Sequence, residues 1–321
     1  MEYLMLIVGF VLLIKGADFF VDGSSAIARL FKVPSIIIGL TVVALGTSLP
    51  EAAVSVSAAL NGSNGLAISN VLGSNIMNLL VVLGVSALIL PVKAQPVTVK
   101  REIPLTIFAA VLLGGLLLLG ASFENTPTFT LTRIGGGVLI AVLVGYLVLQ
   151  ISAALRARKN SQGNSETETD EKKLPLWLCI IYVVGGAAAI VFGGDLVVDG
   201  ASIIAETFGM SDTLIGLTVV AWGTSLPELV TSIVAAGKGE SDLALGNVVG
   251  SNMFNIVFIL GASALISPIT VGLTAIIDTA VLVVLSCMVL IFAATGKRIS
   301  RTEGIVMLLA YAGYFAYILL R

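Results

Sequence analysis

Residues Ile38–Gly84 recur as Ile215–Gly261, aligned without a gap at a constant offset of 177. Of the 47 paired positions, 27 are identical, and the matches include Thr47/Thr224, Ser48/Ser225, Glu51/Glu228, Ser74/Ser251 and Asn78/Asn255. Such polar side chains are costly in a chain as apolar as this one. A duplicated segment that brings a carboxylate with it twice points to a binding site where two halves face each other.

The apolar character is quantitative. The chain has 321 residues, 57% hydrophobic and 11% charged, with a mean hydropathy of +1.08. Soluble domains carry about 25% charged residues, so this composition belongs to a membrane protein. Net charge is −2, and the few basic residues fall in short loops, which excludes a nucleic-acid partner. There is no histidine, which removes zinc-protease motifs, Ser-His-Asp triads, haem ligation through His and His-based proton relays. With no polar domain to receive a soluble substrate either, an enzyme is not expected. Cys179 and Cys287 do not correspond under the offset and read as small apolar helix residues. Tyr3–Ile14 lacks a basic leading segment and a small-residue cleavage site, so it reads as the start of a retained span.

A spanning helix needs about 20 mostly apolar residues. Spans are expected at 3–28, 35–60, 66–90, 102–120, 129–155, 175–205, 212–237, 243–266, 271–294 and 303–320. The expected fold is an all-α integral membrane protein of ten helices in two five-helix repeats, 1–155 and 175–321. An odd number of spans per repeat inserts the halves with opposite orientation. With the N-terminus outside, fourteen Lys and Arg residues fall on the cytoplasmic side, against Arg133 and Arg321 outside, with Lys15 inside the first span. That asymmetry places both termini outside and the 156–174 linker in the cytoplasm. The linker's polar run, 160–170, cannot bury enough apolar area to fold alone.

The chemistry sits in Gly46-Thr47-Ser48-Leu49-Pro50-Glu51 and its copy, Gly223 to Glu228. Pro50 lacks an N–H and clashes with the carbonyl of residue 46, so the helix must kink or open there. Freed carbonyls are costly in hydrocarbon unless something satisfies them, and a cation would. Thr47 and Glu51 are four apart on one helical face, with Ser48 adjacent. In the next span Ser74 and Asn78 share a face, as do Ser251 and Asn255. Asn70, Asn75, Asn247 and Asn252 lie at other angles and are expected to bond neighbouring helices or the broken backbone. Oxygen donors without thiolate or imidazole favour Na⁺, Ca²⁺ or Mg²⁺. Two carboxylates are neutralised by one Ca²⁺, two Na⁺ or two protons; an empty site is penalised, which favours exchange over uniport. Asp18, Asp22, Asp195 and Asp199 are expected near helix ends, paired with groups such as Lys15.

Gly-Thr-Ser-Leu-Pro-Glu followed by Gly-Ser-Asn-x-x-Asn, in both repeats, resembles the calcium/cation antiporter superfamily, specifically its prokaryotic sodium/calcium exchanger branch. The resemblance covers the whole chain. It implies an antiporter of the prokaryotic plasma membrane that extrudes Ca²⁺ against Na⁺ entry by alternating access. It also implies four clustered cation positions lined by Glu51, Glu228, Thr47, Ser48, Thr224, Ser225, Ser74 and Ser251. Asn78 and Asn255 would complete the cluster, with backbone carbonyls near Ala44 and Ala221. Some relatives carry Asp where this chain has Asn255, which leaves the stoichiometry open. Exchange of Ca²⁺ for H⁺ through the same two glutamates is the alternative. Besides Ca²⁺, Na⁺ or H⁺ as substrates and membrane lipid, no cofactor and no soluble protein partner is implied.

Overall fold

The computed structural model describes all residues except 124–125, 162–173, 210–220 and 321. It is mostly helical. Helix α1 spans Glu2–Phe31, α2 Ser35–Thr47, α3 Leu49–Leu60, α4 Asn64–Ile89, α5 Thr98–Leu119 and α6 Arg133–Lys159. In the second half, α7 spans Leu176–Thr207, α8 Ala221–Gly223, α9 Leu226–Gly237, α10 Ser241–Ile266, α11 Leu273–Gly296 and α12 Arg301–Leu320. Among the described residues, eight helices are long and apolar enough to cross a bilayer, and α2 with α3 makes a ninth as a bent pair. The expected span 212–237 falls partly on residues 210–220, and the expected linker partly on 162–173; both stretches lie outside the described residues.

Two short sheets qualify the all-α expectation. Strands β1 (Val92–Lys93) and β5 (Arg298–Ile299) pair antiparallel. β2 (Ala121–Ser122), β3 (Thr128–Leu131) and β4 (Ile269–Val271) form a second, antiparallel sheet. Residues 129–131, expected to open the fifth span, are therefore strand, and the helix starts at Arg133. The reason is local: backbone groups between helix ends need partners, and a strand from the other half supplies them.

The halves meet along α1 and α7. Glycines recur every seventh residue on both helices, at 9, 16 and 23 and at 186, 193 and 200, each pair related by the 177 offset. A Cβ added at Gly193 would lie 2.8 Å from the Gly9 carbonyl oxygen, so the helices touch backbone to backbone. Gly9 faces Gly193 while Gly23 faces Cys179 and Tyr182, which makes the two helices antiparallel. Helices α4 and α10 form the centre, with 78% of their apolar windows buried, against 17% for α12 at the periphery.

One buried polar cluster was not anticipated from sequence. Gln150 Nε2 of α6 donates to Glu102 Oε2 of α5 at 2.7 Å, and Arg101 Nε donates to Glu102 Oε1 at 2.6 Å. Removing the carboxylate strands the buried Gln150 donor. Glu102→Ala should therefore destabilise the fold by about 1–3 kcal/mol. A thermal melt in detergent checks this, and an unchanged midpoint would contradict it.

Candidate functional site

The site forms where α2 breaks into α3. The two helices bend by 50° at Ser48, whose φ of −84° and ψ of 8° leave the helical region. Pro50 has no N–H, so the Gly46 carbonyl lacks its helical donor four residues on. Ser225, with φ −93° and ψ 5°, caps α9 in the same way, and Pro227 frees the Gly223 carbonyl. Each break starts a new helix whose first turn carries the glutamate, Glu51 or Glu228. The partial positive charge of a helix N-terminus favours a carboxylate there and offsets part of the burial cost.

Both carboxylates are fully buried. Each is bonded by a serine of the opposite half: Ser48 Oγ donates to Glu228 Oε1 at 2.9 Å, and Ser225 Oγ to Glu51 Oε1 at 3.2 Å. Within each half, Ser74 Oγ donates to Glu51 Oε1 at 3.1 Å and Ser251 Oγ to Glu228 Oε1 at 3.4 Å. Thr47 Oγ1 donates to Asn247 Oδ1 at 3.0 Å, and Ser251 Oγ lies 3.4 Å from the Ala44 carbonyl oxygen. Asn255 Nδ2 donates to Ser74 Oγ at 3.2 Å.

The remaining oxygens are the informative ones. Glu51 Oε2, Glu228 Oε2, Asn78 Oδ1, Asn252 Oδ1 and Asn255 Oδ1 are buried without a protein hydrogen-bond partner. Leaving one such atom unsatisfied costs about 1–3 kcal/mol, and unpartnered oxygens of this kind are of the type that could hold a cation. Among the described residues, no group of three or more His, Cys, Asp or Glu side chains is arranged to hold a metal ion. Neutral hydroxyl, amide and carbonyl oxygens must therefore do most of any coordination here, and such donors suit hard cations.

A surrounding layer fixes these groups. Asn75 Nδ2 donates to the Asn252 carbonyl at 3.2 Å and Asn252 Nδ2 to the Asn75 carbonyl at 3.1 Å, a reciprocal pair related by the offset. Asn70 Nδ2 bonds Ser55 Oγ at 2.9 Å and the Glu51 carbonyl at 3.3 Å. Asn247 Nδ2 bonds Ser232 Oγ at 3.0 Å and the Glu228 carbonyl at 3.4 Å. These four asparagines thus bond neighbouring helices and the backbone of the broken spans, as their angles implied. Ser55 and Ser232 carry no motif of their own, and their identity under the offset is the one sequence signal that marks them.

Of the residues singled out by sequence, hydrogen bonds join Glu51, Glu228, Thr47, Ser48, Ser225, Ser74, Ser251, Asn255 and Ala44. Asn78 and Thr224 are buried, while Ala221 opens α8 directly after residues outside the description. The aspartates stand apart from the cluster. Lys238 Nζ donates to Asp22 Oδ1 at 2.7 Å and lies 3.4 Å from Asp18 Oδ1, and Lys15 lies 3.6 Å from Asp18 Oδ2. Asp195 and Asp199 are exposed on α7.

With this geometry established, known proteins give it a context. The sodium/calcium exchanger protein family matches residues 1–152 and 178–320. The chain is 42% identical over 316 residues to CaxA of Alkalimonas amylolytica, a proposed antiporter, covering 97% of this chain and 96% of that one. It is 34% identical over 345 residues to the sodium/calcium exchanger MaX1 of Methanosarcina acetivorans, covering 98% and 97% of the two chains. A solved structure of the sodium-calcium exchanger NCX_Mj, soaked with Na⁺ and Sr²⁺, matches with a TM-score of 0.81 at 33% identity, over 98% of this chain and 97% of the other. These relatives are transporters, and the match runs through both copies of the motif. The chain is an integral membrane protein that belongs to the sodium/calcium exchanger family of cation antiporters.

Proposed function

We propose that this protein exchanges Ca²⁺ for Na⁺ by alternating access, extruding Ca²⁺, with ten spans in two inverted five-helix repeats, 1–155 and 175–321. The antiparallel glycine seam of α1 and α7 supports that arrangement, because helices equivalent under the offset run in opposite directions. Loop charge supports a plasma-membrane orientation with both termini outside and the 156–174 linker in the cytoplasm. The cation substrates bind at Glu51 and Glu228, with Thr47, Ser48, Ser74 and Asn78 of one half and Thr224, Ser225, Ser251 and Asn255 of the other. The carbonyls near Ala44 and Ala221 complete the set.

The observation that carries this reading is the exchange of serines between halves, which leaves one oxygen of each buried carboxylate without a protein partner. Ca²⁺ brings the two charges to neutrality, and Na⁺ competes for the same oxygens, so loading one ion expels the other. The site is then stable when filled, and crossing the membrane empty is penalised. Naming of the M. acetivorans relative as a sodium/calcium exchanger supports Na⁺ as the coupling ion.

Uptake of ⁴⁵Ca²⁺ into proteoliposomes, driven separately by a Na⁺ gradient and by a pH gradient, tests the coupling. Saturable uptake is expected with outward-directed Na⁺ alone. Uptake under a pH gradient without Na⁺ would replace the Na⁺ reading with Ca²⁺/H⁺ exchange through the same glutamates.

A further inference from the structure

Away from the duplicated motif, a cavity of about 460 Å³ opens at one face of the helix bundle. Its walls include Leu90 and Pro91 just beyond α4, Lys93 of β1, Glu240 and Asp242 around the start of α10, and Arg298 of β5. Helix α4 ends at Ile89, α10 begins at Ser241, α11 ends at Gly296 and α12 begins at Arg301. Helix ends gathered in this way mark the boundary between hydrocarbon and water.

Two features of the cavity point to an occupant. Lys93 and Arg298 are direct cross-strand partners on the β1–β5 ladder. Side chains so placed stand about 5 Å apart, and like charges there are destabilising. Among the described residues no ion pair involves either cation. Of the cavity's acids, Glu240 Oε1 lies 3.6 Å from Arg29 Nη1, while Asp242 accepts a hydrogen bond from the Gln95 amide and lies within electrostatic reach of Lys93. One nearby carboxylate, Asp242, offsets at most one of these two cations, which leaves room for an anion between Lys93 and Arg298 with Asp242 also at the cavity wall. The second feature is apolar. Ile89 and Leu90, 40% and 39% exposed, continue the cavity's edge onto the outer surface of the bundle.

We propose that this cavity holds the headgroup of an amine-bearing membrane phospholipid, its phosphodiester between Lys93 and Arg298 and its ammonium toward Asp242. The acyl chains run along Leu90 and Ile89. Such a lipid ties the β1–β5 ladder to the start of α10, the helix that carries Asn247, Ser251 and Asn255. Phosphate recognition by paired cations and amine recognition by a carboxylate are ordinary charge-assisted hydrogen bonding.

The test is native mass spectrometry of the full chain, released from vesicles containing equal parts phosphatidylethanolamine, phosphatidylglycerol and phosphatidylcholine. The wild-type chain is expected to retain one phosphatidylethanolamine about fivefold over phosphatidylcholine, whose quaternary ammonium has no N–H to donate, and over phosphatidylglycerol, which has no ammonium. Combining Lys93→Gln with Arg298→Gln should lower that retention by about the same factor. Asp242→Asn should erase the preference over phosphatidylglycerol. Equal retention of the three lipids by the wild type, or undiminished retention by the double variant, overturns the proposal. A persisting preference in Asp242→Asn overturns the ammonium assignment. Displacement of the lipid by millimolar inorganic phosphate also overturns the proposal, making the occupant a free anion. If the double variant does not fold, the two single variants carry the same comparison, each with a smaller loss.

Discussion

Glu51→Gln and Glu228→Gln should each lower Na⁺-driven ⁴⁵Ca²⁺ flux in proteoliposomes by about a hundredfold or more. Glutamine keeps the shape and the Oε1 acceptor, so Ser74 and Ser225 can still bond residue 51, and Ser48 and Ser251 residue 228. What disappears is one of two negative charges facing a divalent cation. At an effective dielectric of about 20, a carboxylate oxygen roughly 2.4 Å from Ca²⁺ contributes on the order of 10 kcal/mol before desolvation is counted. A net loss of only about 3 kcal/mol already amounts to a hundredfold. Desolvation of the ion is unchanged by the substitution, so the loss is not compensated. A melting midpoint near wild type would show that the fold survives. Wild-type flux in either variant would remove that glutamate from the site.

Gly250→Val is expected to collapse the site through packing alone, with no donor changed. A Cβ at residue 250 would lie 2.7 Å from the Leu40 carbonyl oxygen, 2.8 Å from Leu40 Cα and 2.7 Å from Ala44 Cβ. Two of these are backbone atoms and cannot swing aside. Helix α10 must therefore withdraw from α2, which parts Thr47 from Asn247 and Ser251 from the Ala44 carbonyl. Overpacking of this kind costs about 1–3 kcal/mol when the surroundings relax, and more when the obstacle is backbone. The expected result is a melting midpoint lower by more than about 5 °C together with near-complete loss of flux. Gly145→Ala is the control: that glycine is exposed on α6 with nothing within 4 Å of an added Cβ. Alanine there should leave both measurements unchanged or raise stability slightly. A Gly250→Val protein that melts and transports like wild type would show that α2 and α10 do not need their close approach.

Much of the candidate cluster was legible because the duplication filtered it. Single Ser, Thr or Asn residues in apolar helices often serve only as interhelical glue. Recurrence at one offset, beside a helix-breaking proline, separated Glu51 and Glu228 from that background. The span boundaries followed from apolar length, and they differ from the structure mainly where strands intervene, at residues 129–131 and 271. The Glu102–Gln150–Arg101 cluster was not legible. Glu102 and Arg101 sit at a loop boundary, where charged residues are ordinary, and Gln150 has no counterpart in the offset. Only the packing of α5 on α6 reveals that the carboxylate is buried.

Taken alone, the amino-acid order determined that this is a membrane protein carrying one segment twice, with hard-oxygen side chains at each proline. Those properties depend on composition and on short spacings along one helix. The tertiary structure decided which donors work together. Spacing places Ser48 beside Glu51, yet its hydroxyl bonds Glu228, and Ser225 bonds Glu51. The backbone leaves the helix at each serine, so residues before and after the break no longer share a face. Partners more than 170 residues apart are then chosen by how the halves cross.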